Sequence, residues 1–260
     1  MSGKGVFMRI ADRLAADGGF LFRWRSFVPL VLIPLFVLAM GESSALLAVI
    51  GNKGEHILYW IGLAISFLGL AVRWVTVGFV PAGTSGRNTR EQRADVLNTT
   101  GVYSVVRNPL YVGNFLAMFG LTVVTGVWWL ALLLVFAYWV YIERVIAAEE
   151  AFLVEKFGKP YLDWCAVTPA FLPTFSKWQP TDAGFSFRTV LKREYNGVLA
   201  VLAAFFAYDL LTDLVVRGEP FTEWFDEDWP WIVLLVVGLV VFVTLRTLKK
   251  STRVLHVEGR

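Results

Sequence analysis

The residues best suited to chemistry lie in two short polar stretches that adjoin long apolar runs. Arg107, Asn108 and Pro109 come directly before one apolar run, and Glu149 and Glu150 lie at the end of another. An arginine guanidinium is a fixed fork of donors that matches a carboxylate, whereas a carboxylate can hold an ammonium, accept hydroxyl hydrogen bonds or take a proton. These residue types predict a polar site at the ends of two apolar segments.

Each of these residues also has an ordinary structural explanation. Arg107 could reach lipid headgroups by snorkelling, and Pro109 is a common first residue of a helix because its missing N–H costs nothing there. Glu149 and Glu150 could lie on the solvated face of a helix that leaves a membrane. Local sequence alone leaves the functional and the structural explanations open.

Composition places the chain among membrane proteins. Of its 260 residues 57% are hydrophobic and only 17% charged, and the mean hydropathy is +0.60. Soluble domains carry about 25% charged residues. The first 25 residues hold five basic residues, and the apolar segment that follows lacks a small-residue cleavage site. This predicts a retained first span and not a cleaved signal peptide.

The sequence gives no sign of a disulfide within the chain, of a metal site or of a nucleic-acid partner. The single cysteine, Cys165, cannot form a disulfide within the chain. His56 and His256 have no Cys, His or Glu neighbour at ligand spacing, so we predict no metal site. No basic patch with interleaved aromatic residues is present, so a nucleic-acid partner is not expected.

Six segments are apolar enough to be membrane helices, which predicts an all-α polytopic membrane protein. These segments are 27–48, 57–80, 112–125, 127–148, 198–216 and 231–248. Of the 24 Lys and Arg residues, 21 fall in 1–25, 81–110, 143–194 and 246–260, the segments on one side of six alternating crossings. The positive-inside rule then places both termini in the cytoplasm, at the bacterial inner membrane if the source is prokaryotic.

The third and fourth segments are joined by little more than Gly126, which predicts a tight antiparallel helical hairpin. Such a hairpin brings the end of the first polar stretch beside the start of the second. Facing pairs across one opening are therefore expected. They involve Arg107, Asn108 and Tyr111 on one arm and Glu143, Glu149 and Glu150 on the other.

A connecting segment that contains Pro, Asp and Gly, residues 178–189, separates a core, residues 1–180, from a C-terminal pair of helices, residues 181–260.

Arg73 lies inside the second apolar segment and needs a partner there. Asp209 and Asp213 in the fifth segment are the candidates. A structural ion pair between helices is favoured over a contact with substrate.

The two polar stretches together resemble the signature of the isoprenylcysteine carboxyl methyltransferase and phospholipid methyltransferase superfamily. That signature runs G-x-Y-x-x-x-R-H-P-x-Y-x-G, then a hairpin, then E-E followed by F-G-x-x-Y and a V-x-P end. The matching positions here are Gly101, Tyr103, Arg107, Pro109, Tyr111, Gly113, Glu149, Glu150, Phe157, Gly158, Tyr161 and Pro169. The resemblance covers about 75 residues within 101–173, and Leu153 lies one position off the pattern.

The resemblance implies an integral membrane methyltransferase that uses S-adenosyl-L-methionine and acts on a membrane lipid or lipidated substrate at the cytoplasmic face. It also implies an amphipathic cytoplasmic segment after the hairpin. Arg107 and Glu149 are the expected catalytic residues. The expected cofactor-binding residues are Gly101, Tyr103, Arg107, Asn108, Pro109, Tyr111, Glu149, Glu150 and Tyr161.

Asn108 departs from the signature, where His is usual. Asn cannot titrate, so an acceptor that is already anionic, a carboxylate or a lipid phosphate, is slightly favoured over an amine. Two alternatives stay open: a membrane reductase of the sterol type that uses NADPH, because such enzymes share a similar hairpin and tail, and a non-catalytic protein that binds lipid.

Overall fold

The computed structural model describes residues 10–25, 27–80 and 94–257. Part of the first polar stretch, residues 82–93, and the basic residues Lys4 and Arg9 lie outside this described part. Eight α-helices occur in it. They are α1 Ile10–Trp24, α2 Ile33–Phe79, α3 Val102–Val105, α4 Pro109–Val124, α5 Trp128–Phe157, α6 Lys159–Val167, α7 Phe187–Leu211 and α8 Phe221–Ser251.

The expected all-α membrane architecture is confirmed. Four helical stretches are long and apolar enough to cross a membrane, Lys53–Phe79, Trp128–Phe157, Phe187–Arg217 and Phe221–Ser251. Two apolar helices are shorter, Leu30–Ser43 and Pro109–Val124. The six predicted segments thus all lie in helices, while the number of crossings and the side on which the termini lie stay predictions.

The first two predicted segments lie mostly within a single long helix, α2, which is interrupted near its middle. A 3₁₀ turn at Val28–Leu32 leads into α2, and Gly51 interrupts α2 with φ +66° and ψ 176°. Glycine tolerates this positive φ because it has no Cβ. The break lets the two parts of α2 take different directions, so Lys53–Phe79 packs as a helix of its own.

The central contact of the fold is between the second part of α2 and α4. A Cβ on Gly120 would lie 2.2 Å from the carbonyl oxygen of Gly62, and a Cβ on Gly113 would lie 2.6 Å from that of Gly69. The two pairs run in opposite order along the chain, so the helices are antiparallel. The Ser66 hydroxyl also donates to the Ala117 carbonyl at 2.8 Å. Small residues at helix contacts allow such close approach in membranes.

The predicted hairpin is present. α4 and α5 are joined by three residues, in which Gly126 has φ +65°. The hydroxyl oxygen of Thr125 accepts the backbone N–H of Val127 at 3.2 Å, so the turn satisfies a donor that would otherwise stay buried and unpaired.

The remaining helices surround this central pair. α1 packs along the second half of α5, and α7 packs on α2 and α8. The N–H of Ser186 donates to the carbonyl of Gly78 at 2.8 Å, which starts α7 beside the end of α2. α8 leaves most of its valine and leucine side chains exposed, as expected for a helix that faces lipid.

Candidate functional site

The start of α4 is fixed by the segment that follows α6. The backbone N–H of Arg107 donates to the carbonyl of Pro169 at 2.9 Å, and the amide Nδ2 of Asn108 donates to the carbonyl of Ala170 at 3.0 Å. Pro109 occupies the first turn of α4, where no N–H is needed. The two polar stretches of the sequence are therefore joined through backbone atoms as well as side chains.

The Arg107 side chain points at the second arm of the hairpin. Its Nη2 donates to Glu150 Oε1 at 2.7 Å, and its Nη1 donates to the carbonyl of Cys165 at 3.0 Å. The side chain is only 13% exposed, and its Nε is buried with no hydrogen-bond partner among the described residues. A buried donor without a partner is costly, so this atom is a natural place for a bound group.

Glu149 is held by two groups from different helices. The Tyr111 hydroxyl donates to Glu149 Oε1 at 2.8 Å, and Arg25 Nη1 lies 3.4 Å from the same oxygen. The Tyr138 hydroxyl in turn donates to the Tyr111 carbonyl at 2.7 Å. The carboxylate therefore has a defined position, set by α1, α4 and α5 together.

These groups open into one cavity of about 690 Å³ between the hairpin and α7. Six of the predicted site residues line it: Tyr103, Arg107, Asn108, Pro109, Tyr111 and Glu149. Its wall also includes apolar residues of α2, α4 and α7. The cavity thus combines charges of both signs with an apolar lining, which is the usual character of a small-molecule site.

Three predicted site residues lie beside the cavity and do not line it. Gly101, with φ +60°, forms an isolated bridge with Gln179 and supports the loop before α4. Glu150 reaches the site through Arg107. Tyr161 is buried on α6, edge-on to the Trp164 ring, and burial raises the pKa of its hydroxyl.

The expectation for Glu143 differs from what the structure shows. Its side chain is exposed on α5 and does not line the cavity. The physical reason is distance along α5. Glu143 and Glu150 are seven positions apart and share nearly the same direction, but Glu143 lies about 10 Å further from the end of α5 that meets the start of α4. Facing pairs form at Arg107 with Glu150 and at Tyr111 with Glu149, as predicted for those residues.

A second polar group lines the same cavity around Arg73. Its Nε and Nη2 donate to the two oxygens of Glu194 at 2.7 and 2.9 Å, and its Nη1 donates to Asn114 Oδ1 at 2.7 Å. The Arg73 and Glu194 side chains are 16% and 4% exposed. A Cβ at position 113 would lie 2.6 Å from Arg73 Cγ, so Gly113 makes room for this side chain.

The predicted partners of Arg73 are therefore wrong. Asp209 accepts the indole N–H of Trp224, and Asp213 pairs with Arg217. The reason is depth in the membrane. α7 starts beside the end of α2, so Glu194 lies level with Arg73, whereas Asp209 comes about 22 Å further along the helix. The predicted fifth segment began at residue 198, so Glu194 lay outside it, whereas α7 begins at Phe187 in the structure.

A group of carboxylates lies near the other end of α7. The oxygens of Asp209, Asp213 and Asp228 lie within 4.8 Å of one another. The prediction of no metal site was drawn from the histidines and did not consider these residues. Because Trp224 and Arg217 already contact two of them, the group also has an ordinary structural explanation.

Several polar residues of the cavity wall were not expected to be site residues. They include Arg25, Asn98, Asn114, Arg193, Glu194 and Asn196. Arg25 was counted only as a cytoplasmic basic residue, and Asn114 was not considered within its apolar segment. Both are isolated polar residues at the edge of or inside an apolar run, which is a signal for a buried partner. Cys165, whose backbone carbonyl accepts a hydrogen bond from Arg107, is half-buried on α6, and burial raises the pKa of its thiol.

Comparison with known proteins finds a family that matches the central part of the chain. Residues 57–160, which contain the second part of α2 and the whole hairpin, match the phospholipid methyltransferase family. The matched stretch is 104 of the 260 residues long. The superfamily resemblance drawn from the sequence is confirmed. Arg25 and Glu194 lie outside the matched residues, although both line the cavity.

The similar proteins carry two kinds of name, metal-resistance protein and isoprenylcysteine O-methyltransferase. The nickel-cobalt-cadmium resistance protein NccN of Alcaligenes xylosoxydans xylosoxydans is 36% identical over 52% of this chain and 62% of NccN. The protein-S-isoprenylcysteine O-methyltransferase of Schizosaccharomyces pombe is 31% identical over 42% of this chain and 48% of its own length. The cobalt-zinc-cadmium resistance protein CzcN of Cupriavidus metallidurans is 32% identical over 46% of this chain and 54% of CzcN.

The chain spans about half the length of the relatives it matches. No solved structure gives a significant match to it. The similarity to these relatives therefore covers part of this chain and part of each relative.

Proposed function

We propose that this protein is an integral membrane methyltransferase that uses S-adenosyl-L-methionine and methylates a lipidic acceptor at the cytoplasmic face. The observation that carries the proposal is the pair of contacts from α4 to α5, Arg107 to Glu150 and Tyr111 to Glu149, at one cavity and among the residues that match the family. The similarity to a named isoprenylcysteine O-methyltransferase supports the same reaction class.

The chemistry of the cavity fits the proposed cofactor. S-adenosyl-L-methionine carries a carboxylate, an ammonium and a sulfonium, and when bound it supplies an electrophilic methyl group. The buried, unpaired Nε of Arg107 is a donor for a carboxylate, and Glu149 is an acceptor for an ammonium or a ribose hydroxyl. Tyr103, Tyr111 and Tyr141 are among the aromatic residues of the cavity wall.

The residues of this chain contribute mainly by alignment and by exclusion of water. Methyl transfer is a direct displacement, so holding donor and acceptor in line supplies most of the acceleration. Tyr111 and Arg25 fix the position of Glu149, and the apolar wall keeps water from the reacting groups. A neutral acceptor would also need a proton removed, and the carboxylates on the described cavity wall are Glu149 and Glu194.

The preference for an anionic acceptor rests on Asn108 alone. The Asn108 amide is engaged with the carbonyl of Ala170, so its role in the fold is positional. An anionic acceptor, a carboxylate or a lipid phosphate, needs no base at this position, and we retain it as the first acceptor to be tested.

The test is binding of S-adenosylhomocysteine to purified protein in lipid nanodiscs, measured by calorimetry. We expect the wild type to bind and Arg107→Ala to lose binding, because the variant removes the guanidinium from the cavity wall. Arg246→Ala is the matched control, since Arg246 lies on α8 over the Phe242 ring and outside the cavity. Absence of binding to folded wild type would reject the proposal, and saturable binding of NADPH in its place would favour the reductase alternative.

A further inference from the structure

We propose that Arg73, Asn114 and Glu194, called here the deep cluster, hold the polar group of the methyl acceptor. This inference rests on the proposed methyl-transfer function and extends it, because it assigns the second polar end of the cavity and gives α7 a part in acceptor choice. Glu194, the residue that α7 supplies, lies outside the residues that match the family.

The position of the deep cluster separates it from the proposed cofactor end. Arg73 lies about 9 Å from the end of α2, and Asn114 lies a similar distance from the start of α4, as helical rise requires. Asn114 lies about one helical turn further into the apolar segment than Tyr111, while Arg73 Nη1 reaches the Leu110 carbonyl at 3.5 Å, and both residues line the same cavity. A lipidic acceptor approaches from the bilayer, so the deeper end is the one that its polar group reaches.

The surroundings of the deep cluster suit a lipid. The cavity wall beyond the deep cluster, further along α2, α4 and α7, includes Leu70, Ala117, Met118, Ala200 and Val201, which are apolar. Ionisable residues within a membrane span are expensive and usually mark a pathway or a binding site.

The charged residues within the deep cluster are one arginine and one glutamate. Glu194 accepts two N–H groups from Arg73, at 2.7 and 2.9 Å, and Arg193 lies on the same cavity wall. A balanced pair orients a polar group by hydrogen bonds and does not select its sign. Removing one charge must therefore create a selection: Glu194→Gln leaves a positive site and Arg73→Gln a negative one.

The experiment measures two ligands that differ in the sign of their charge. Radiolabelled dodecanoate and dodecylamine are bound to nanodisc-embedded protein saturated with S-adenosylhomocysteine. Relative to wild type, we expect the ratio of the two dissociation constants to shift about tenfold toward dodecanoate in Glu194→Gln and about tenfold toward dodecylamine in Arg73→Gln. The affinity for S-adenosylhomocysteine should change less than about twofold, since the cofactor end is untouched.

Two further variants guard against trivial results. Asp213→Asn is the matched control, because Asp213 is also a buried carboxylate at the end of α7, paired with Arg217 but outside the cavity. It should leave the ratio unchanged. If a single variant fails to fold, the double variant Arg73→Met/Glu194→Met removes both charges without leaving one unpaired. This variant should still bind S-adenosylhomocysteine and lose both labelled ligands.

Three results would overturn the inference: an unchanged ratio in both charge variants, an equal change in the Asp213→Asn control, or wild type that takes up neither ligand beyond empty nanodiscs. Retention of both ligands by the double variant would also overturn it. A wild type that binds no S-adenosylhomocysteine is a different failure, which removes the proposed function itself.

Discussion

Tyr111 and Glu149 form the contact whose chemistry can be tested at a single atom. The Tyr111 ring packs in a cluster with Tyr138 and Ile142, while its hydroxyl donates to the Glu149 carboxylate at 2.8 Å. Tyr111→Phe keeps the ring and removes only this hydrogen bond. A hydrogen bond to a charged group contributes about 1.5–3 kcal/mol, so we expect S-adenosylhomocysteine affinity or the methyl-transfer rate to fall by about tenfold to a hundredfold.

The control for Tyr111→Phe is Tyr59→Phe. The Tyr59 hydroxyl donates to the carbonyl of Phe205 at 2.7 Å, in the core between α2 and α7 and away from the cavity. Both variants should lower the melting temperature, but only Tyr111→Phe should affect ligand binding. Equal effects on binding would show that Tyr111 acts through stability alone.

Asn108 gives a second prediction at the scale of the residue. Its Nδ2 donates to the Ala170 carbonyl, so a replacement must also donate. Asn108→His, which restores the residue usual in the signature, can donate and should keep S-adenosylhomocysteine affinity within about threefold. Asn108→Asp places an acceptor against a carbonyl oxygen, which leaves both unsatisfied, and should weaken affinity by about tenfold or more. Calorimetry of the two variants side by side is the measurement, and equal affinities would contradict this role.

At the scale of the element, α1 closes the cavity by docking on α5. A Cβ on Gly18 would lie 1.9 Å from the carbonyl oxygen of Arg144, so the helix cannot dock as closely when alanine replaces this glycine. Because Arg25 extends from the end of α1 to Glu149, we expect Gly18→Ala to weaken S-adenosylhomocysteine binding by about threefold to tenfold. Cleavage by trypsin within 10–25 should become faster in the same variant.

The neighbouring position supplies the control for α1. A Cβ on Gly19 meets nothing within 4 Å, so Gly19→Ala should leave binding and cleavage unchanged and slightly favour the helix. If both alanine variants behave alike, the docking of α1 has no influence on the cavity.

The contact between α2 and α4 gives the second prediction for an element. Gly120→Ala would place a Cβ 2.2 Å from the Gly62 carbonyl oxygen and 2.3 Å from the Ser66 hydroxyl. Backbone atoms must move, and we expect a loss of about 1–3 kcal/mol of stability, the usual effect of overpacking. Thermal unfolding in nanodiscs measures this loss of stability, and an unchanged melting temperature would contradict the close approach of α2 and α4.

At the scale of the whole molecule, the positive-inside pattern predicts six crossings with both termini in the cytoplasm. In a Cys165→Ser background, Lys53→Cys and Thr222→Cys should react with a membrane-impermeant maleimide in intact cells. Thr252→Cys should react only after the cells are permeabilised. Labelling of Thr252→Cys in intact cells would reject this orientation.

The predicted division at residue 180 also belongs to this scale. α7 and α8 form the C-terminal helix pair, yet α7 lines the cavity with Glu194 and Val201. The division stays a prediction about the chain, while the cavity itself is built from both sides of it.

The sequence by itself determined the features that depend on near neighbours. Apolar runs of sufficient length became helices, Gly126 closed the hairpin, and the hairpin then brought Arg107 and Tyr111 to Glu150 and Glu149. These follow because hydrophobic length, turn chemistry and helix periodicity are local properties.

Only the tertiary structure decided the partners of Arg73 and Arg25. Glu194 and Glu149 are 121 and 124 positions away from them in the chain. Which distant carboxylate meets a buried arginine depends on the depth and rotation of two packed helices. Both are set by close contacts such as those of the α2 and α4 glycines, and composition carries no record of them.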